Sequence, residues 1–246
     1  MEVSPYYKIK VLVCGSMSVG KSSLVWLVRN ETPRYDSEPT IGLDFACTHI
    51  ELEEYPLSNP SNLPDFYFQA KKEIGIGKEN EHLQLIQVHI WDASGSVRFS
   101  SIVKMYYRDV DICLLVFDMT DRSSWDELSK WKEQVLNEAK APHFPIFVLV
   151  GNKSDLRPHQ VSMKEIKERA EQWGVKYYVL SAVQDSSSSM VRRMIYMSVQ
   201  NFHDNMLLLS HDKKALPPHV TIPYQTKKNN FIDIDVASNP SYCCYQ

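Results

Sequence analysis

Apolar residues along this chain fall into strand-length runs that alternate with stretches of helical spacing. Ile112–Phe117 and Ile146–Val150 are unbroken apolar runs, and Ile9–Cys14 is interrupted only by Lys10. Leu43–Leu52, Leu83–Trp91 and the short Tyr177–Leu180 are also strand-like. Such runs suit strands buried on both faces of a sheet. Between them, Ser23–Val28 predicts a helix, and Ser124–Ala139 predicts another with Trp125, Leu128, Trp131 and Val135 at helical spacing. Lys164–Trp173 predicts a third, with Ser162 as N-cap and Glu165 completing a capping box. Met190–Phe202 predicts a closing helix. Strands alternating with helices predict an α/β fold with a mostly parallel sheet covered on both faces. A direct connection from Leu43–Leu52 to Leu83–Trp91 predicts one antiparallel edge strand.

Two segments stand outside this alternation. Glu53–His82 carries Pro56, Pro60, Pro64, the aromatic Phe66-Tyr67-Phe68 and a charged run from Lys71 to Glu81. It is too long for a hairpin turn and too broken for a domain, which leaves an extended hairpin or loop, or an ordered partner surface. From about Asn205 onward, little periodicity remains, and the expectation is a flexible tail.

Composition narrows the class. A chain of 246 residues with 43% hydrophobic positions supports one core with extensions, and a net charge of −3 gives no electrostatic case for nucleic acid. The five cysteines form no disulfide framework; Cys14, Cys47 and Cys113 lie in strand-like runs, where buried thiols in a reducing compartment are expected. Neither a signal segment at Met1–Tyr7 nor an apolar run of ~20 residues is present, so a soluble intracellular protein is expected.

Chemistry enters at Gly15-Ser16-Met17-Ser18-Val19-Gly20-Lys21-Ser22, between the first strand and the first helix. G-x-x-x-x-G-K-S in that context is a phosphate cradle. Gly15 and Gly20 allow successive N–H groups to turn inward, and the helix N-terminus that begins near Ser23 adds its dipole. Lys21 reaches β- and γ-phosphates, and the Ser22 hydroxyl suits Mg²⁺. Asp92-Ala93-Ser94-Gly95 follows a strand, where Asp92 can hold Mg²⁺ through water and the Gly95 N–H can meet a γ-phosphate. Asn152-Lys153-Ser154-Asp155 also follows a strand. The Asp155 carboxylate can accept both N1–H and the 2-amino group of guanine, whereas adenine would leave it unpaired. Asn152 can tie loops together, and the Lys153 stem can lie over the base.

With these motifs in order, Lys8–Phe202 resembles the small GTPases of the Ras superfamily, and the Rab family in particular. The resemblance rests also on Thr40-Ile41-Gly42-Leu43-Asp44-Phe45, Trp91-Asp92, Arg98-Phe99, Tyr106-Tyr107-Arg108, Leu115–Thr120 and Ser181-Ala182. It implies a P-loop NTPase domain over residues 1–204, with a six-stranded, mostly parallel sheet and five helices. It implies GTP/GDP and Mg²⁺ as ligands, bound by Gly15, Ser16, Ser18, Val19, Gly20, Lys21, Ser22, Ser23, Tyr35, Thr40, Gly95, Asn152, Lys153, Asp155, Ser181, Ala182 and Val183. Ser22, Thr40 and Asp92 would be the metal residues, and Lys21, Thr40, Gly95 and Ser96 the catalytic ones. Effectors would read switches around Thr40 and Asp92–Tyr107, with Phe45, Trp91 and Tyr106 either as an effector-facing triad or as plain core aromatics. An exchange factor, a GTPase-activating protein and prenylation machinery are the further implied partners of a monomer. Cys243 and Cys244 would carry the lipid that attaches the 205–246 tail to a cytoplasmic membrane face in vesicle transport.

The chain departs from its family at several positions. Ser96 stands where a Gln usually orients the attacking water, and Met17 where relatives carry a small residue. Slow hydrolysis follows as an expectation, and a GTP-binding interaction module without meaningful turnover stands as the competing reading. Val183 replaces a lysine that packs near guanine, and Pro33 falls where an aromatic usually stacks, with Tyr35 the nearby substitute. A P-loop nucleotide kinase would need an arginine-rich lid that is not evident.

Overall fold

The computed structural model describes residues 7–30, 32–33, 39–53, 83–96, 103–139, 145–184 and 187–211. In chain order these form β1 (Tyr7–Cys14), α1 (Lys21–Asn30), β2 (Leu43–Glu53), β3 (Leu83–Ala93) and β4 (Ile112–Asp118). There follow α2 (Arg122–Asp126), α3 (Leu128–Glu138), β5 (Ile146–Asn152), α4 (Met163–Trp173), β6 (Lys176–Val179) and α5 (Ser187–His211). The strands make one six-stranded sheet in the order β2-β3-β1-β4-β5-β6. Every pairing is parallel except that of edge strand β2 with β3, the antiparallel pair expected from their direct connection.

Alternation along the central strands explains why both sheet faces are dry. Ile9, Val11 and Val13 of β1 join Ile112, Leu114 and Val116 of β4 on one face, against Leu24 and Leu27 of α1 and Met194, Ile195 and Val199 of α5. Leu12 and Cys14 join Cys113, Leu115 and Phe117 on the other, against Trp125 of α2, Leu128 and Val135 of α3, and Ile166 and Ala170 of α4. Period-2 alternation sends successive side chains to opposite faces, so continuous apolar runs are what a doubly covered sheet demands. The edge strand differs. Ala46 of β2 is buried with the first cluster, while Cys47, on the opposite face beside Phe45 and His49, is exposed, correcting the expectation of a buried thiol.

Helix boundaries follow local capping. The Ser162–Glu165 capping box is formed, and α4 stops at Gly174, whose φ of 64° is left-handed. The single helix expected over Ser124–Ala139 is two segments meeting at Glu127, and it starts earlier, because the Asp121 side chain accepts the Ser123 N–H as an N-cap. Counting that pair as one, the described residues contain four helical stretches longer than a turn, against the five expected. The last helix runs to His211, so residues 205–211, expected as tail, are helical. Glu53, the first residue of the expected 53–82 insertion, ends β2, and residues 54–82 and the tail after His211 lie outside the described residues; β2 and β3 stay paired up to Glu53 and Leu83. No helix among the described residues is long and apolar enough to cross a membrane.

Candidate functional site

The strand order places the C-terminal ends of β1, β3, β4 and β5 side by side, and the loops leaving them meet above the sheet. That is where ligands collect in open α/β sheets. The loop after β1 can turn only because of its glycines. Gly15 has φ 147°, and a Cβ there would sit 2.1 Å from the Val116 carbonyl oxygen. Ser18 adopts φ 64°, a left-handed conformation a non-glycine residue accepts only when its surroundings enforce it. Lys21 is buried and donates to the carbonyls of Gly15 (2.9 Å) and Ser16 (2.7 Å), using two of its three N–H donors. Burial pushes its ammonium down from the ordinary value, and the charge of Asp92 opposes this.

Three expected metal residues converge. Ser22 Oγ lies 2.7 Å from Thr40 Oγ1 and donates to Asp92 Oδ2; Thr40 Oγ1 is 3.4 Å from the same oxygen. The other oxygen, Asp92 Oδ1, is buried with no hydrogen-bond partner among the described residues. A buried acceptor left unpaired is costly, and it suits a water held by a cation. Burial pushes the Asp92 carboxyl up, while the Ser22 hydrogen bond and the Lys21 charge pull it down. Just beyond, Gly95 packs on the first loop so closely that a Cβ would lie 2.5 Å from Met17 N and from the Ser16 carbonyl carbon. Ser96 N donates to Ser94 Oγ at 3.3 Å.

The loops after β5 and β6 meet the phosphate loop through one side chain. Asn152 Nδ2 donates to the Val19 carbonyl (2.8 Å), and its Oδ1 accepts the Ala182 N–H (3.0 Å). Lys153, at φ 60°, pairs its ammonium with Asp118 Oδ2 at 2.7 Å. Asp155 is exposed, Ser181 and Ala182 are buried, and Val183 N donates to Ser181 Oγ at 3.3 Å.

On the outer face of the sheet edge, Phe45 stands opposite Trp91 in the β2–β3 register, with ring centroids 4.7 Å apart. Trp91 in turn lies 5.0 Å from Tyr106. The three aromatics form one continuous stack at the margin of the core: Trp91 packs against the second cluster, Tyr106 is half-buried and Phe45 is 39% exposed. Ile41 and Met105 nearby are also exposed. Met17 is 62% exposed, so its bulk points out of the loop. Tyr35, Arg98, Phe99, Cys243 and Cys244 lie outside the described residues.

This arrangement agrees with comparison to known proteins. The model of the Ras family matches residues 65–202. The chain belongs to the Ras family. It is similar to Ras-related protein Rab7 of Drosophila melanogaster, 32% identical over 76% of this chain and 78% of that protein. It is also similar to Ras-related protein RABA6a of Arabidopsis thaliana, 27% identical over 98% of this chain and 95% of the relative. Ras-related protein Rab-7L1 of Homo sapiens is 25% identical over 82% of this chain and 87% of its own length. As a Ras-family domain, the chain carries a guanine-nucleotide fold with GTP hydrolysis as its general activity.

Two residues of this Ras-family site escaped the sequence reading. Asp118 was visible only as part of a family signature; an Asp two residues before Thr120 is a local turn signal that could have flagged it. Glu127 accepts the Ser16 hydroxyl across 111 positions, and no local pattern announces that contact.

Proposed function

We propose that this chain is a Rab-like GTP/GDP switch that recruits effectors on a membrane, with slow intrinsic hydrolysis. The observation that carries the reading is the convergence of Ser22, Thr40 and Asp92 beside the Gly15–Ser22 loop, with Asn152 joining that loop to the Ser181-Ala182 turn. The N–H groups of the loop from Ser16 through Ser23 enclose the phosphates, and Lys21 supplies a fixed positive charge. Among the described residues no three His, Cys, Asp or Glu make a self-contained metal site. Magnesium would be held by the Ser22 and Thr40 hydroxyls, which converge on Asp92 behind them, and would neutralise phosphate charge when bound. Thr40 makes this corner sensitive to the γ-phosphate, since the loop carrying it has a reason to close only when that group is present.

At the other end, Asp155 reads the guanine edge, Lys153 lies over the ring, and Ser181, Ala182 and Val183 close the base pocket. Tyr35 is the aromatic offered to the same nucleotide. Gly95 meets the γ-phosphate, and Ser96 replaces a glutamine that would both donate to and accept from the attacking water. Effectors read the Phe45–Trp91–Tyr106 stack, and lipid on Cys243 and Cys244 holds the chain at the membrane. A second reading, a GTP-binding interaction module with negligible turnover, is favoured by Ser96; Met17, expected to add to it, is exposed and points out of the loop.

The test is to identify and count the nucleotide carried by purified protein. About one guanine nucleotide per chain is expected; adenine nucleotide, or an empty protein in excess GTP and magnesium, overturns the reading. Asp155→Asn should shift preference toward xanthosine nucleotides, and an unchanged preference removes Asp155 from base recognition.

A further inference from the structure

Resting on that reading of the guanine site, we propose that Asp118 is a positioning residue for nucleotide retention: it anchors the Lys153 ammonium and so fixes the lysine stem as the wall on which the base rests. Asp118 is the last residue of β4 and is buried, while the Lys153 side chain is partly open to solvent. Its two oxygens divide their work. Oδ1 accepts both the Thr120 N–H (2.8 Å) and the Thr120 hydroxyl (2.7 Å), which locks the carboxylate plane. Oδ2 is left for Lys153 Nζ at 2.7 Å.

The backbone makes this anchor necessary. Asp118 stands opposite Asn152 in the β4–β5 register, and Met119 N donates to the Asn152 carbonyl at 3.0 Å, so the two strand ends are already tied. The next residue, Lys153, turns into the left-handed region at φ 60° and projects its long side chain from a strained corner. Four rotatable bonds would otherwise leave that stem disordered. A charge-assisted contact to an immobile carboxylate at the far end removes most of that freedom. Burial raises the Asp118 carboxyl, but Lys153 and Thr120 more than reverse this and leave it below its ordinary value, consistent with a carboxylate kept charged for its partner.

The experiment is a double-mutant cycle on release of fluorescent GDP from the full chain. Asp118→Asn should accelerate release about tenfold in the Lys153 protein and by less than about twofold in a Lys153→Met background. Equal acceleration in both backgrounds shows an effect on the scaffold rather than through the lysine and overturns the proposal, as does no acceleration at all. Thr120→Val, at a half-buried position, keeps the test open if the Asn variant fails to fold. It should accelerate release about threefold with Lys153 present and leave the rate unchanged in the Lys153→Met background, where there is no ammonium to anchor. An unchanged rate in the Lys153 protein counts against the anchor. Wild-type protein that binds no fluorescent GDP would overturn the guanine-site reading itself, an outcome separate from any difference between variants.

Discussion

Gly20 and Asn152 touch so closely that a Cβ on the glycine would lie 2.2 Å from the amide nitrogen of the asparagine. Two motifs 132 positions apart in number thus share one space: the glycine is left-handed at φ 94°, and the asparagine fills the room its missing side chain leaves. The same Nδ2 holds the Val19 carbonyl at 2.8 Å. Gly20→Ala therefore carries two penalties, backbone strain and displacement of Asn152 from both loops it joins. Nucleotide affinity should fall by at least about a hundredfold, which corresponds to about 2.8 kcal/mol. Titration with fluorescent GDP checks it, and retention within about threefold of wild type would show that the loops are not coupled through Asn152.

Ser22 and Asp92 make the second linkage, between the phosphate loop and the end of β3. Asp92 Oδ2 takes the Ser22 hydroxyl while Oδ1 is buried without a partner among the described residues. If that free oxygen serves a cation's water, Asp92→Asn should weaken magnesium binding by about 10- to 100-fold, the usual scale for an outer partner. Chelation with EDTA should then speed GDP release strongly in wild type and scarcely in the variant. Equal chelator sensitivity would remove Asp92 from the metal corner.

How much of this was legible beforehand depends on the range of the signal. Ile112–Phe117 and Ile146–Val150 revealed buried strands because a doubly covered sheet needs apolar residues at every position. The Ser162–Glu165 box was readable because both partners lie within one turn. The break at Glu127 was not, since the apolar spacing of Trp125, Leu128 and Val135 continues across it. Cys47 misled because an apolar residue type alone does not say which face of a strand it is on: it shares a face of edge strand β2 with Phe45 and His49, and all three are exposed. The Gly15–Ser22 and Asn152–Asp155 loops were legible as motifs, yet the side chains that hold them, Glu127 on Ser16 and Asp118 on Lys153, belong to distant elements whose pairing only the fold creates.

Ser96 sets the expectation for turnover. It sits beside Gly95, which abuts the Ser16–Met17 peptide, the end of the loop that the proposed function assigns to the γ-phosphate. Its side chain is too short to bridge a water as an amide does. Single-turnover hydrolysis should run at or below the ~10⁻⁴ per second scale of an unassisted GTPase, and Ser96→Gln should raise it. A wild-type rate that matches or exceeds the glutamine variant would sink this account.

Local capping gives a stability test independent of nucleotide chemistry. Ser162 Oγ accepts the Glu165 N–H at 3.3 Å, and Glu165 Oε2 returns to the Ser162 N–H at 3.0 Å. Ser162→Ala removes one arm of this box at the solvent-exposed start of α4 and should cost about 1 kcal/mol. For a domain of this size that is a fall of about 2–4 °C in Tm by calorimetry. GDP release should be unaffected, because α4 supplies no residue to the site.

Asp118 gives the pH dependence its sign. Burial acts to raise this carboxyl, but Lys153 and Thr120 outweigh it and hold the folded-state value below the ordinary 3.8. A depressed carboxyl contributes stability above its unfolded value and loses that contribution as pH falls through the folded one. The whole transition therefore lies on the acid side of the ordinary Asp range. From about pH 8 to about pH 5 the carboxylate stays charged, so the ratio of GDP release rates between Asp118→Asn and wild type should be constant. The measurement is a stopped-flow series over that range with both proteins. A ratio that collapses toward one near neutral pH would mean that Asp118 loses its charge there, and the pairing with Lys153 could not be what distinguishes the two proteins.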